Sequence, residues 1–316
     1  MTPPVIELRD IRYAYRIADE DTPVLKGVSL VIRPGEMVAI QGPSGSGKST
    51  LLYLIGCLLK PQSGSVLVDG RDVSSLSDDE MAWLRNRRIG FIFQQFHLLP
   101  RASVIDNIML PSFYPVEATM NGEKARLRAE QLADQVGLSD RKDRAPNQLS
   151  GGQQQRVAIA RALMNGAGLM LCDEPTGNLD SVTSAQIMEL LRQCRNEGKA
   201  VVVITHDPEV AAQCDRVYVV KDGLIVETVE HQKIGTRMDP NPSDELPKKA
   251  RIRGPGSSLW MMMRLLPIAF ENLRRNKIRS FLTMTGITIG VSAVLLWLHW
   301  VGTPKKRFLI LMPCLG

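Results

Sequence analysis

Near the start of the chain apolar and polar residues alternate in VIELRDIRYAYR (5–16) and VLKGVSLVI (24–32), and this period of two predicts strands. GSVLVDGRDV (64–73) repeats the pattern around an Asp69-Gly70 turn, and DRVYVVKDGLIVET (215–228) reads as a closing hairpin that turns at Asp222-Gly223. Three apolar runs do not alternate: Val38–Ile40, Leu169–Cys172 and the start of AVVVITH (200–206). In SDDEMAWLRNRR, Ser77 and Glu80 have capping-box spacing, so a helix starts there. Residues 95–165 lack strand alternation and should form a helical subdomain, and a long helix follows Ser181 and stops near Gly198. No internal repeat is present. From Thr236 to Ser258 the composition turns to Pro, Gly, Ser, Asp and Lys, which marks a linker.

The first chemistry lies after Val38–Ile40. Gly42-Pro43-Ser44-Gly45-Ser46-Gly47-Lys48-Ser49-Thr50 fits the phosphate-loop pattern in full, and Leu51, Leu52, Leu54 and Ile55 continue at helical spacing. Glycines let backbone N–H groups converge on phosphate oxygens, and the helix start adds partial positive charge. Lys48 is placed to reach the β- and γ-phosphates of ATP, and the Ser49 hydroxyl to ligate Mg²⁺. The strand Leu169–Cys172 delivers Asp173 and Glu174 at its carboxyl end, where ligands bind in an open α/β sheet. Asp173 is expected to hold Mg²⁺ and Glu174 to act as general base on the attacking water.

NQLSGGQQQRVAIARALM (147–164) opens an apolar-periodic helix with Ser150, Gly151, Gly152 and Gln153, a second anion-binding pattern in the same chain. Leu149 to Gln153 resembles the signature sequence of ATP-binding cassette (ABC) ATPases. The resemblance covers about residues 4–230, with 1–235 taken as the nucleotide-binding domain. It implies an α/β fold of the P-loop NTPase kind, with a mixed sheet core, an antiparallel β subdomain and a helical subdomain. It also implies a homodimer in which two cassettes sandwich two ATPs, each held by one copy's Lys48 loop and the other's Ser150 loop. By resemblance, Gln94 is the glutamine that touches Mg²⁺ and reports to the membrane domain. His206 contacts the γ-phosphate, Asp180 lies at the dimer seam, and Tyr15 stacks on adenine, with Tyr13 a weaker candidate.

Charge changes the picture at the far end. The net +6 divides into −5 over residues 1–247, +8 over 248–279 and +3 over 280–316. Basic charge beside an apolar run favours a belt facing anionic lipid over a nucleic-acid groove, so no nucleic-acid partner is expected. Residues 259–279 read as an amphipathic juxtamembrane helix. The uncharged stretch 280–301 has 22 residues, and crossing a bilayer takes about 20, so 280–302 is expected to be a C-terminal transmembrane helix. The Gly286-x-x-x-Gly290 spacing suits close helix packing. The amino terminus has no basic flank before an apolar core, so no secretory signal is expected. The five cysteines show no metal-ligand spacing, and Cys172 reads as a small core residue.

AFENLRRNKIRSFLTMTGITIGVSAV (269–294) resembles the start of the membrane domain in MacB-type exporters, the macrolide and enterotoxin efflux ATPases. That implies a bacterial inner-membrane protein with its cassette in the cytoplasm and a permease domain. It also implies a periplasmic adaptor and an outer-membrane channel as partners. The family's further spans do not follow the first, and the short tail 303–316 does not resemble its continuation, so a truncated reading frame is the expectation. Two alternatives stand beside this one: a stand-alone cassette of the lipoprotein-releasing or FtsE cell-division kind with an added anchor, and a non-transport ABC ATPase. The latter kind carries paired cassettes or long coiled coils, and this chain has neither.

Overall fold

The computed structural model describes residues 3–17, 19–113, 122–231, 285–286 and 288–297. The chain divides into two units, Met1–Ser257 and Ser258–Gly316. In the first, β1 (Ile6–Ile17) and β2 (Glu20–Ile32) form a long hairpin, and β4 (Ser63–Val68) and β5 (Arg71–Asp72) complete an antiparallel sheet ordered β2-β1-β4-β5. A second sheet contains β3 (Met37–Gln41), β6 (Ile89–Ile92), β7 (Leu169–Asp173), β8 (Ala200–Thr205), β9 (Arg216–Lys221) and β10 (Leu224–Glu230). Its order is β10-β9-β3-β8-β7-β6, parallel except for the β9–β10 hairpin. The Asp69-Gly70 and Asp222-Gly223 turns lie where the sequence places them, with Asp69 and Asp222 at φ 49° and 50°.

The apolar runs do not alternate because the central strands are covered on both faces. Met37, Ala39, Met170, Cys172, Val201 and Val203 enter one buried cluster, and Val38, Ile40, Leu169, Leu171, Val202 and Ile204 the other. Helix α1 (Lys48–Ile55) packs in the second cluster with the antiparallel sheet and α2 (Asp78–Arg88). The first cluster takes α3 (Val104–Met109), α4 (Gly122–Gln135), α5 (Gly151–Leu163), α6 (Ser181–Asn196) and α7 (Pro208–Ala211). The helices expected over 95–165 are thus α3 to α5. Ser77 and Glu80 form the expected capping box, and the four described cysteines are buried and free.

In the second unit, residues 285–286 and 288–297 are helical and exposed. No helix among the described residues is long and apolar enough to cross a membrane. The ends of the expected span 280–302 lie outside the described residues. So do the linker 236–258, the amphipathic stretch 259–279 and the tail 303–316.

Candidate nucleotide site

The loop after β3 leaves α1 open at its start. Its N-cap is Gly47, at φ 102°, with no side-chain cap and no acid in the first turn. In contrast, α2, α3, α5 and α6 each carry a Ser or Asp cap that accepts from a first-turn N–H. Unsatisfied first-turn donors and the helix dipole favour an anion at this position. A Cβ built on Gly42 would lie 2.1 Å from the Val220 carbonyl oxygen, so the loop passes β9 only as glycine. The Ser46 hydroxyl is buried without a partner, and Pro43, Ser44 and Gly45 are exposed. Lys48 folds back over the loop, its Nζ donating to the Pro43 carbonyl at 2.7 Å. Burial holds the Lys48 ammonium below its ordinary range, and the charges of Glu174 and Asp173 oppose that. A phosphate would supply the acceptors that this cradle lacks.

Three strand ends face the cradle. Gln41 pairs in register with Thr205, and Asp173 with Ile204, so β3, β8 and β7 finish side by side. Asp173 ends β7, and burial raises its pKa, helped by the Glu174 charge and opposed by Lys48. Glu174 sits at φ 45°, and its N–H donates to the Ile204 carbonyl at 2.9 Å. Its Oε1 lies 2.8 Å from His206 Nδ1, just past the end of β8. A Cβ on Gly177 would meet Gln94 Nε2 and Glu174 Oε2, each at 3.2 Å, so Gln94 and Glu174 flank this glycine. The Asn178 amide donates to the Gln94 carbonyl at 3.1 Å.

The donor set suits Mg²⁺. Ser49, exposed on the first turn of α1, Asp173 and Gln94 offer hard oxygen ligands, and the adjacent carboxylates carry negative charge that a cation would relieve. No cluster of three His, Cys, Asp or Glu among the described residues could hold a metal by itself. Tyr15 is 37% exposed, edge-on to Tyr13 at 5.1 Å, with its hydroxyl 3.5 Å from that of Thr50.

Ser150 caps α5 in a reciprocal box: Gln153 N–H donates to its hydroxyl at 3.3 Å, and Ser150 N–H to Gln153 Oε1 at 3.0 Å. Gly151 faces Leu179 and Phe96, and Gly152 faces Thr183. Asp180 caps α6, accepting from the Thr183 N–H at 2.9 Å and hydroxyl at 2.7 Å, and these bonds hold its carboxyl below the ordinary range. Thr183 thus links the Asp180 cap to Gly152, two residues after Ser150. Ser150 and Asp180 are not brought to Lys48, because α5 and α1 pack into clusters on opposite faces of the sheet.

Three residues with no signal in the sequence hold these parts in place. Gln62 clasps the Ala14 backbone beside Tyr15 through both ends of its amide, at 2.7 and 2.8 Å. Arg161 of α5 donates to the Phe96 and His97 carbonyls at 2.8 and 2.6 Å, just after Gln94. Gln155 of α5 donates to the Pro175 carbonyl at 2.9 Å, just after Glu174. Each acts through a backbone carbonyl or amide distant in sequence, which no local pattern encodes.

A model of the ABC transporter family matches residues 25–177. The macrolide export ATP-binding/permease protein MacB of Shigella flexneri is 45% identical over 294 residues, covering 92% of this chain and 44% of the relative. The protein of the same name from Rhodopirellula baltica is 47% identical over 292 residues, covering 92% and 42%. This chain therefore spans less than half the length of these curated relatives. Among solved structures, the dimeric post-hydrolysis state of the ATP-binding cassette MJ0796, bound to ADP and Pi, superposes with a TM-score of 0.67. It is 44% identical, covering 72% of this chain and all of that one. The protein cbiO1 from Clostridium perfringens, part of the ABC transporter complex cbiONQ, gives 0.65 at 32% identity, covering 72% of this chain and 89% of that one.

Proposed function

The chain belongs to the ATP-binding cassette family of ABC transporters, and from that premise we propose that it binds and hydrolyses ATP as the cassette of a MacB-type exporter. The observation that carries the reading is the Glu174–His206 pair at the ends of β7 and β8, beside the uncapped start of α1. First-turn N–H groups of α1 take the β-phosphate, and Lys48 leaves the Pro43 carbonyl for a phosphate oxygen. Ser49, Asp173 and Gln94 hold Mg²⁺, which when bound neutralises charge on the β- and γ-phosphates. Glu174 orients the attacking water and takes its proton, and His206 steadies that carboxylate and reaches the γ-phosphate. Tyr15 supplies the face for adenine, over the Thr50 end of α1.

Two copies complete each site. The placement of α5 on the face opposite α1 supports this, because Ser150 caps a helix start that the chain's own Lys48 loop does not use. The dimeric cassette MJ0796, bound to ADP and Pi, is a precedent for a nucleotide-bound dimer. The similarity to MacB proteins covers 92% of the chain, while that to the cassettes stops at 72%, which favours the exporter over a stand-alone cassette. On this reading, residues 1–235 are the cassette, 236–258 a linker and 259–279 a surface helix. Residues 280–302 then enter the bacterial inner membrane, with the cassette on its cytoplasmic side. A permease, a periplasmic adaptor and an outer-membrane channel complete the pathway, and the macrolides in the relatives' name are the first cargo to test, with antibiotic resistance as the expected phenotype.

The test is Glu174→Gln. It removes the base and keeps the phosphate cradle, so Mg-ATP still binds and turnover is lost. Hydrolysis at the wild-type rate would show that Glu174 is not the base.

A further inference from the structure

Helix α5 has a buried polar contact that the reaction as described does not use. Gln155 is fully buried, its Nε2 donates to the Pro175 carbonyl at 2.9 Å, and its Oε1 is buried with no partner. Buried amides normally satisfy both ends, because an unpaired polar atom in the interior has lost its water without replacement. An apolar side chain of similar length would avoid that cost, so packing alone does not call for glutamine here.

The group it holds adjoins the reaction. Pro175 follows Glu174, whose φ of 45° is a left-handed conformation that a non-glycine residue keeps only when its surroundings constrain it. Three of the hydrogen bonds at this turn involve the backbone groups of Glu174 and Pro175. Glu174 N–H reaches the Ile204 carbonyl at 2.9 Å, Gly177 N–H reaches the Glu174 carbonyl at 3.1 Å, and Gln155 reaches the Pro175 carbonyl at 2.9 Å. The first two belong to the sheet edge and the turn itself. The third comes from another layer, and since proline has no N–H, the carbonyl is its only polar backbone group.

We infer that Gln155 is a positioning residue for hydrolysis, its amide fixing the turn that presents the Glu174 carboxylate. The inference rests on the reading of Glu174 as the base. Helix α5 then has two tasks: its first turn offers Ser150 to a partner copy's nucleotide, and its buried face steadies the base of its own copy.

The experiment compares Gln155→Met and Gln155→Leu with Glu174→Gln in the 316-residue chain. At saturating Mg-ATP, kcat is expected to fall by more than about fivefold, with KM for ATP changed by less than about twofold, since small misplacements of a reacting group cost rate far more than binding. Backbone amide exchange should speed up at Glu174 and Gly177 and stay unchanged within α5. A smaller loss of kcat overturns the inference. So does exchange that rises equally in α5 and the turn, or failure of both variants to fold, since either makes the role one of stability alone. If Glu174→Gln still turns over, the reading of Glu174 fails whatever Gln155 does. If Glu174→Gln is inactive and both Gln155 variants keep their rate, only the role of Gln155 falls.

Discussion

Replacing Gly152 by alanine tests how tightly the Ser150 and Asp180 ends of the site are joined. Gly152 is the second residue of α5, and a Cβ there would lie 2.2 Å from Thr183 Cγ2. Thr183 cannot simply turn aside, because its hydroxyl donates to Asp180 Oδ2 at 2.7 Å and its N–H to Asp180 Oδ1 at 2.9 Å. Two effects compete. Alanine in place of glycine favours a helix by at most about 1 kcal/mol, less in the first turn. Forcing a methyl into a packed contact costs about 1–3 kcal/mol. An approach of 2.2 Å is far inside van der Waals contact, so overpacking wins, by about 1–2 kcal/mol net. For a domain of this size that lowers Tm by roughly 2–8 °C, read by differential scanning fluorimetry without nucleotide. Thr183→Ser removes the offending methyl and keeps the hydroxyl that caps α6, and by itself should cost less than about 1 kcal/mol. The double variant should therefore recover most of the loss, with a coupling of about 1 kcal/mol or more. Additivity within about 0.5 kcal/mol, the behaviour of independent sites, would refute the reasoning.

Two further outcomes follow from the same geometry. A Lys48→Ala chain mixed with a Ser150→Arg chain should regain part of the ATPase rate that each lacks alone, because one mixed dimer keeps one intact composite site. No recovery where cross-linking shows mixed dimers would exclude shared sites. Asp173 has a folded-state pKa above its ordinary 3.8, first from burial and then from Glu174, so the folded protein binds more protons than the unfolded chain just above that pH. Its ionisation thus costs stability as pH rises through the raised pKa. Asp173→Asn should raise Tm of the nucleotide-free protein at pH 7.5, with a gain that shrinks as pH falls toward 3.8. A gain that grows on acidification would reverse the assignment of cause.

Local chemistry along the chain carries the patterns from which the candidate site is read. The Gly42–Thr50 loop, the acids after Leu169–Cys172 and the Ser150 cap are short-range patterns, each set by backbone demands within a few residues. The turns at Asp69-Gly70 and Asp222-Gly223 and the Ser77–Glu80 capping box were legible for the same reason. The Leu149–Gln153 pattern that carries the resemblance to ABC ATPases is local in the same way.

Tertiary structure alone decided which of these patterns meet. Strand order β9-β3-β8-β7 sets the Lys48 loop, Glu174 and His206 at neighbouring strand ends, although the chain enters β3 more than a hundred residues before β7. The two faces of the same sheet part α1 from α5, and so separate the two anion-binding helix starts within one chain. The contacts of Gln62, Arg161 and Gln155 with distant backbone groups were not legible at all. A side-chain amide or guanidinium finds a carbonyl 20 to 65 residues away only after the layers have packed, and nothing in its neighbours along the chain records which one it will meet.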